Sequence, residues 1–277
     1  MRVTFWGVRG SITTPELSHA RYGGNTPCVA VEYDGRHIVL DAGMGMRWMT
    51  ADLLDREPDR KLHLDLLLTH CHWDHIQGIP FAPLMYLPRN SVRIYGRGGS
   101  DGLAKTLLAQ MRPDFCPVPN FFLREDIGAD VVLREIENDI ISIGEARVLC
   151  RELPRGNRAP VTGYRIEYRE RVVTYMTDVE YPRGPRECPQ AIDLARDADL
   201  LIHDGQFLAH ERESHRNWGH STIDEALELA RLAGSRRLAI FHHDPSRCDA
   251  ELDAVAEELK NRHECAFPAS EGLLLEV

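Results

Sequence analysis

Four side chains able to bind a metal, His70, His72, Asp74 and His75, fall within six residues of the run THCHWDH (69 to 75), directly behind the apolar segment LHLDLLL. Imidazole nitrogen and carboxylate oxygen are donors suited to zinc, iron or manganese. A short loop aims several of them at one point when it leaves a rigid element. The spacing therefore calls for a buried strand behind the loop and a fold arranged around its end. A lone histidine in a loop is most often structural, whereas this crowding points to a metal.

The other elements follow from periodicity and punctuation. Strand-like runs rich in β-branched and aromatic residues occupy 2–8, 28–33 and 37–41, separated by Gly- and Thr-rich loops at 10–14 and 23–26. Met46, Met49, Leu53 and Leu54 stand at helical spacing within 44–55, and the strand that carries the metal motif spans 62–70. A second series of strands is expected at 131–136, 146–153, 162–168 and 171–176, then a helix near 189–197 and a strand at 199–203. Ser221 with Asp224 forms a capping-box start for the helix ALELARLAG, which Gly234 ends. A strand at 237–241, a helix near 249–262 and a strand at 272–277 complete the pattern. With no low-complexity linker and no internal repeat, one domain over 1–277 is expected.

Composition narrows the function classes. The segment MRVTFWGVRGS lacks the apolar run of a signal peptide, and nothing later approaches the roughly 18 apolar residues of a membrane helix, so a soluble, cytoplasmic protein without membrane contact is expected. Seven scattered cysteines (Cys28, Cys71, Cys116, Cys150, Cys188, Cys248 and Cys265) suggest reduced thiols rather than a disulfide framework. The 33 Lys and Arg against 43 Asp and Glu give a net charge of −10, which disfavours a general nucleic-acid binder. A small anionic substrate would need locally placed arginines, and Arg9, Arg21, Arg155, Arg158 and Arg216 fall in expected loops.

The run HCHWDH resembles the HxHxDH signature of the metallo-β-lactamase superfamily, and the similarity runs along nearly the whole chain. The resemblance implies an α/β fold, a four-layer αββα sandwich. It implies that His70 and His72 bind one metal while Asp74 and His75 bind a second, and that Asp178, in VVTYMTD, bridges the two. The late histidine ligand matches FHHDP, where His243 is the better fit because Asp244 follows it and His242 is the alternative. Asp41, in IVLDAG, matches a carboxylate that orients a ligand imidazole. One or two zinc ions per chain are implied, with manganese or iron(II) as other candidates, and a homodimer is compatible with the resemblance. Cys71 is read as an inert spacer within the motif.

Further segments resemble the ribonuclease Z and cyclic-phosphodiesterase branch: GVRGSITTP followed by RYGGNTPC, then LLIHDGQF and WGHST. The histidine of the HST element is the proton donor there. This implies that His220 protonates the leaving alkoxide while Asp204 holds its imidazole, with Asp74 completing the catalytic set. The expected reaction is hydrolysis of a small, cyclic phosphodiester by a metal-bound hydroxide. Ester, thioester or lactone hydrolysis is the alternative, and the segment 80–150 lacks the basic Gly-rich arm of ribonuclease Z.

One ligand departs from the pattern. Related hydrolases carry something like NHPGGALGYRI in mid-chain, whereas this chain reads LPRGNRAPVTGYRI and has no histidine between His75 and His203. An ungapped count back from Gly163 puts Asn157 at the ligand position, where its amide would be a weak donor. Three outcomes stay open: a dinuclear enzyme using Asn157 or water, a mononuclear one using Asp74, His75, Asp178 and His243, or a weakened member that binds a ligand. Arg155 and Arg158, which flank the position, are assigned with Arg9 to the substrate phosphate.

Overall fold

Parallel strands cannot be joined by a tight turn, and this chain alternates between antiparallel meanders and parallel runs that need helical crossovers. The structure is a computed structural model that describes residues 1–116 and 128–277. Its first sheet starts as a meander of β1 (Arg2–Gly7), β2 (Cys28–Tyr33) and β3 (Arg36–Leu40), and continues in parallel through β4 (His63–Leu67), β5 (Ser91–Gly96) and β6 (Asp130–Glu135). The second sheet repeats the plan. β7 (Ile140–Ile143), β8 (Ala146–Leu153), β9 (Val161–Tyr168) and β10 (Arg171–Met176) form the meander, and β11 (Leu200–Asp204), β12 (Leu238–Phe241) and β13 (Ala266–Pro268) add in parallel. The last strand, β14 (Leu274–Glu276), returns to pair with β1, so among the described residues each sheet has seven strands.

Helices cover the outer faces. α1 (Gly45–Arg56) crosses from β3 to β4, the single turn α2 (Trp73–Ile76) follows β4, and α3 (Leu103–Ala109) lies between β5 and β6. On the other side, α4 (Pro189–Ala195), α5 (Ile223–Ala233) and α6 (Asp249–Arg262) make the three crossovers from β10 to β13. Burial follows these layers. Val3, Val31, Ile38 and Leu40 of one sheet meet Val148, Ile166, Tyr175 and Ile202 of the other in a central core, while Met46, Met49 and Leu53 pack with Leu64, Leu66 and Ile94 outside the first sheet. Ala226, Leu229 and Ala230 pack with Leu201 and Ile240 outside the second. The result is the αββα sandwich expected from the sequence. Among the described residues no helix is long and apolar enough to cross a membrane.

The differences from the expected elements have local causes. The strand expected at 62–70 ends at Leu67: Leu68 N–H still reaches the Tyr95 carbonyl of β5, but Thr69 turns its N–H to the Asp41 side chain instead of a neighbouring strand. β5, β7, β13 and α3 are too short or too mixed in pattern to stand out. The capping box of α5 is Thr222 with Glu225, one residue past Ser221, whose hydroxyl donates to the Val179 carbonyl and ties the helix start to the loop after β10.

Register aligns the strand ends. Leu40 pairs with Leu67 at the carboxyl ends of β3 and β4, and Met176 pairs with His203 and His203 with Ile240 across β10, β11 and β12. Both sheets thus finish their parallel strands at one end of the sandwich, where open α/β sheets hold their ligands. Two bonds lock the sheets together there: Tyr164 O–H donates to the Leu68 carbonyl, and Thr162 N–H to the Thr69 carbonyl. Tyr164→Phe, which strips a buried carbonyl of its donor, is expected to lower the unfolding free energy by about 1–3 kcal/mol in a urea titration.

Candidate metal centre

Three side chains reach the end of the sandwich from left-handed backbone: Asp41 at φ 59°, Asp178 at φ 58° and His242 at φ 61°. Each sits one or two residues beyond a strand that ends at the crevice. Such conformations cost of order 1–3 kcal/mol for a residue with a side chain and persist where the surroundings fix them. Gly10 makes room for one of them, since a Cβ there would lie 2.5 Å from His242 Nδ1.

Four donors converge. His75 Nε2 lies 3.3 Å from Asp74 Oδ2 and 3.1 Å from Asp178 Oδ2, and His242 Nε2 lies 3.3 Å and 3.2 Å from the same two oxygens. All four residues are buried. Their outward atoms are fixed: His75 Nδ1 lies 2.8 Å from Asp41 Oδ2, and His242 Nδ1 lies 2.9 Å from Gln206 Oε1. An acceptor at each Nδ1 assigns a proton there and makes Nε2 the nitrogen that faces inward. Ser11 N–H donates to Asp74 Oδ2 at 2.9 Å, while Tyr175 O–H and Thr69 hold Asp41.

His70 and His72 lie beside this group. His70 Nε2 is 3.6 Å from Asp178 Oδ1, and the His70 and His72 rings are 4.5 Å apart. Between His72 and Asp178 stands a guanidinium: Arg155 Nη2 is 2.9 Å from Asp178 Oδ1 and 3.0 Å from His72 Nδ1, and Nη1 is 3.2 Å from His72 Nε2.

His220 and Asp204 form a third part. His220 Nδ1 is 2.8 Å from Asp204 Oδ2, and its ring stacks on His242 with centroids 4.9 Å apart. Asp204 also accepts the N–H groups of Asp178, Gln206 and Ser221. Asp204, His220, His242 and Asp178 stand close enough together to share an ion, but the many hydrogen bonds Asp204 accepts make the His220–Asp204 pair more a positioned imidazole and its holder than a ligand set.

The electrostatics suit a cation. Burial alone would raise the Asp178 carboxyl, but His242, His75, His70 and His220 outweigh it and hold the group well below the ordinary carboxylate range. Asp74 behaves alike beside His75 and His242. Burial opposes charge on His75, yet Asp74, Asp178 and Asp41 push its pKa well above the usual imidazole value. Burial and then the Arg155 charge pull His72 down to about 4, leaving it neutral at physiological pH. The Nε2 atoms of His70 and His75 are buried without a hydrogen-bond partner. Two buried carboxylates meeting at inward-facing imidazole nitrogens are a donor set that a divalent metal fits.

Several expectations require correction. His243 does not join the cluster: its backbone pairs with Val8 and Gly10, and its Nε2 lies 2.8 Å from the Ala269 carbonyl, so His242 takes the place. Asn157 is exposed, and Arg155 is the side chain that enters from its loop. Arg9 is fully buried and donates to the carbonyls of Gly23, Asp244 and Arg247, so it ties loops together inside the protein rather than reaching a phosphate. Arg158 donates to the Asn217 carbonyl at the surface, Arg21 pairs with Asp253 and Arg216 with Glu213. Sequence reading missed Gln206, which faces His242 from the loop after β11, and its polar character next to Asp204 was the available signal. It also missed Glu180, a buried carboxylate that accepts from Arg212 and from the N–H groups of Asn217 and Gly219.

Residues 36–243 match the family model described as a beta-lactamase superfamily domain. The chain is 27% identical over 305 residues to a ribonuclease Z from Haloarcula marismortui, covering 94% of this chain and 91% of that protein. A solved diphosphatase from the PhnP family aligns with a TM-score of 0.72 at 20% identity, over 100% of this chain and 97% of that one. Human tRNase Z, short form, aligns with a TM-score of 0.71 at 19% identity, over 100% and 99%. At these identities the two structures speak for the fold alone.

Two substitutions separate the roles. Gln206→Ala, which frees the His242 ring, is expected to weaken metal binding about 10- to 100-fold in a chelator competition while leaving the circular dichroism spectrum unchanged. Arg9→Met is expected to lower the unfolding free energy by about 2 kcal/mol or more, because buried carbonyls lose their donor, without changing the Michaelis constant for an anionic substrate.

Proposed function

The chain belongs to the metallo-β-lactamase superfamily, and on that premise we propose that it is a metal-dependent phosphodiesterase acting on a small, cyclic phosphodiester. All of 1–277 acts as one domain in this reading. The observation that carries it is the His220–Asp204 pair, with an Nδ1–Oδ2 distance of 2.8 Å, stacked against the His242 ring. An alkoxide leaving from phosphorus is a strong base and needs a proton as it departs. An imidazole whose Nδ1 is held by a carboxylate offers its other nitrogen for that transfer.

Asp74, His75, Asp178 and His242 would hold the metal, with zinc proposed and manganese or iron(II) as alternatives. When bound, the metal supplies Lewis acidity toward a phosphoryl oxygen and makes water nucleophilic at neutral pH. The chain's own residues do the rest. Asp41 and Gln206 fix the two imidazoles, Ser11 N–H fixes Asp74, and Asp204 orients His220. Arg155 brings positive charge into the centre beside His72 and Asp178.

A cavity of about 710 Å³ begins at the motif itself. Cys71, Trp73, Phe81, Tyr86 and Phe115 line it, and Trp73 is 77% exposed. Aromatic walls of this kind stack the planar ring of a base, which supports a cyclic nucleotide or a similar small molecule. The net charge of −10 works against a long nucleic acid. Seven free cysteines support a reducing, cytoplasmic setting. A homodimer is compatible with this reading and is not required by it. RNA cleavage is the second reading, favoured by the ribonuclease Z relatives that span nearly the whole chain.

The test compares turnover on bis(p-nitrophenyl) phosphate, 2′,3′- and 3′,5′-cyclic nucleotides, p-nitrophenyl acetate and a tRNA precursor. Turnover on the small phosphodiesters is expected. In His220→Ala it should fall about 10²- to 10⁴-fold with metal content unchanged. Bound metal without phosphodiester turnover would sink the reading, and cleavage of the tRNA precursor alone would favour the second.

A further inference from the structure

We propose that Arg155 is a built-in cation standing in place of one metal ion, so that this centre binds a single metal per chain. The inference rests on the proposal that the site binds metal, but not on the identity of the substrate.

The guanidinium takes the donors that an ion beside His70 and His72 would use. Asp178 divides its carboxylate: Oδ2 faces His75 and His242, whereas Oδ1 accepts from Arg155 Nη2 at 2.9 Å. The His72 ring lies against the same guanidinium, with Nδ1 3.0 Å from Nη2 and Nε2 3.2 Å from Nη1, and the ring nitrogen without a proton accepts from it. Guanidinium stays protonated throughout the accessible pH range and has no lone pair to coordinate with. It can therefore satisfy Asp178 and His72 only by donating N–H groups and by its charge, and it repels a second cation brought to the same oxygen.

Arg155 is also held in place. Its side chain is only 5% exposed. The loop that carries it is stitched to the segment after β10, with Gly156 N–H donating to the Glu180 carbonyl and Glu180 N–H to the Pro154 carbonyl. The buried Glu180 carboxylate binds Arg212 and the N–H groups of Asn217 and Gly219. Gly219, at φ 95°, passes so close that a Cβ there would sit 2.8 Å from Arg155 Nε. An arginine packed from this many sides does not swing out to admit an ion. The sequence agrees, since no histidine between His75 and His203 could complete the set.

The experiment counts metal directly. The protein is loaded with excess Mn(II), freed of unbound ion and measured by plasma mass spectrometry, with a Mn(II) titration followed by electron paramagnetic resonance. One tightly bound ion per wild-type chain is expected, with no spin-coupled pair. Arg155→His should take up a second ion and show the coupled signal. Should that variant not fold, Arg155→Ala serves: removing the charge frees His70, His72 and Asp178 to bind a second ion more weakly. Two ions in the wild type would overturn the proposal, as would a single ion in a folded Arg155→His or Arg155→Ala protein. Neither result depends on turnover, so one ion with no phosphodiesterase activity would end the functional reading and leave this inference standing.

Discussion

The Asp178 carboxylate is the group on which the rest of the centre depends. It is fully buried, and an isolated anion in that position would be costly to desolvate. Compensation comes from every side: His75 and His242 at one oxygen, Arg155 and His70 at the other. Its backbone contributes as well, since Asp178 N–H is held by Asp204, the same carboxylate that positions His220. The histidines, the guanidinium and the His220–Asp204 pair are thus tied through one residue.

That residue could not be placed by one sheet. His70, His72, Asp74 and His75 come from the loop behind β4, while Asp178, His220 and His242 come from loops of the second sheet. The two sets meet because both sheets end their parallel strands on the same side and because Tyr164 and Thr162 tie those ends together. Left-handed backbone at Asp41, Asp178 and His242 turns the side chains into the gap, at a cost that the dense hydrogen bonding around them offsets.

A centre with one metal position and a fixed guanidinium differs in kind from one with two ions. The guanidinium binds an anionic oxygen through N–H groups at fixed angles, whereas a metal binds it at a vacant coordination position. Charge at that side of the crevice is then independent of metal supply. Neutral His72 remains there as an acceptor, which is consistent with burial and Arg155 together lowering its pKa to about 4.

Much of this was written in local order along the chain. Strand and helix positions followed from period-two and period-3.6 apolar spacing, and the HCHWDH cluster after an apolar run marked the metal centre because ligand crowding needs no tertiary information to be seen. Asp41, Asp178, Asp204 and His220 were singled out by the resemblance of their segments to the family, and the fold places all four at the same end of the sandwich. The choice between His242 and His243 was not legible. Adjacent residues after a strand point to opposite sides, and only the pairing of His243 with Val8 and Gly10 and its bond to the Ala269 carbonyl decided which ring turned inward. Asn157 and Arg155 exchanged expectations likewise, because an ungapped count carries no information about how a loop is pinned, and it was the stitching to Glu180 that set which side chain entered. Arg9 read as a phosphate ligand because charge is visible in a sequence, whereas the carbonyls that take up its donors come from two segments far apart in the chain, at Gly23 and at 244–247. The sequence by itself determined the elements and the stock of ligands; which of them share one point was decided by tertiary packing, since only the folded chain brings remote carbonyls and carboxylates within hydrogen-bonding distance.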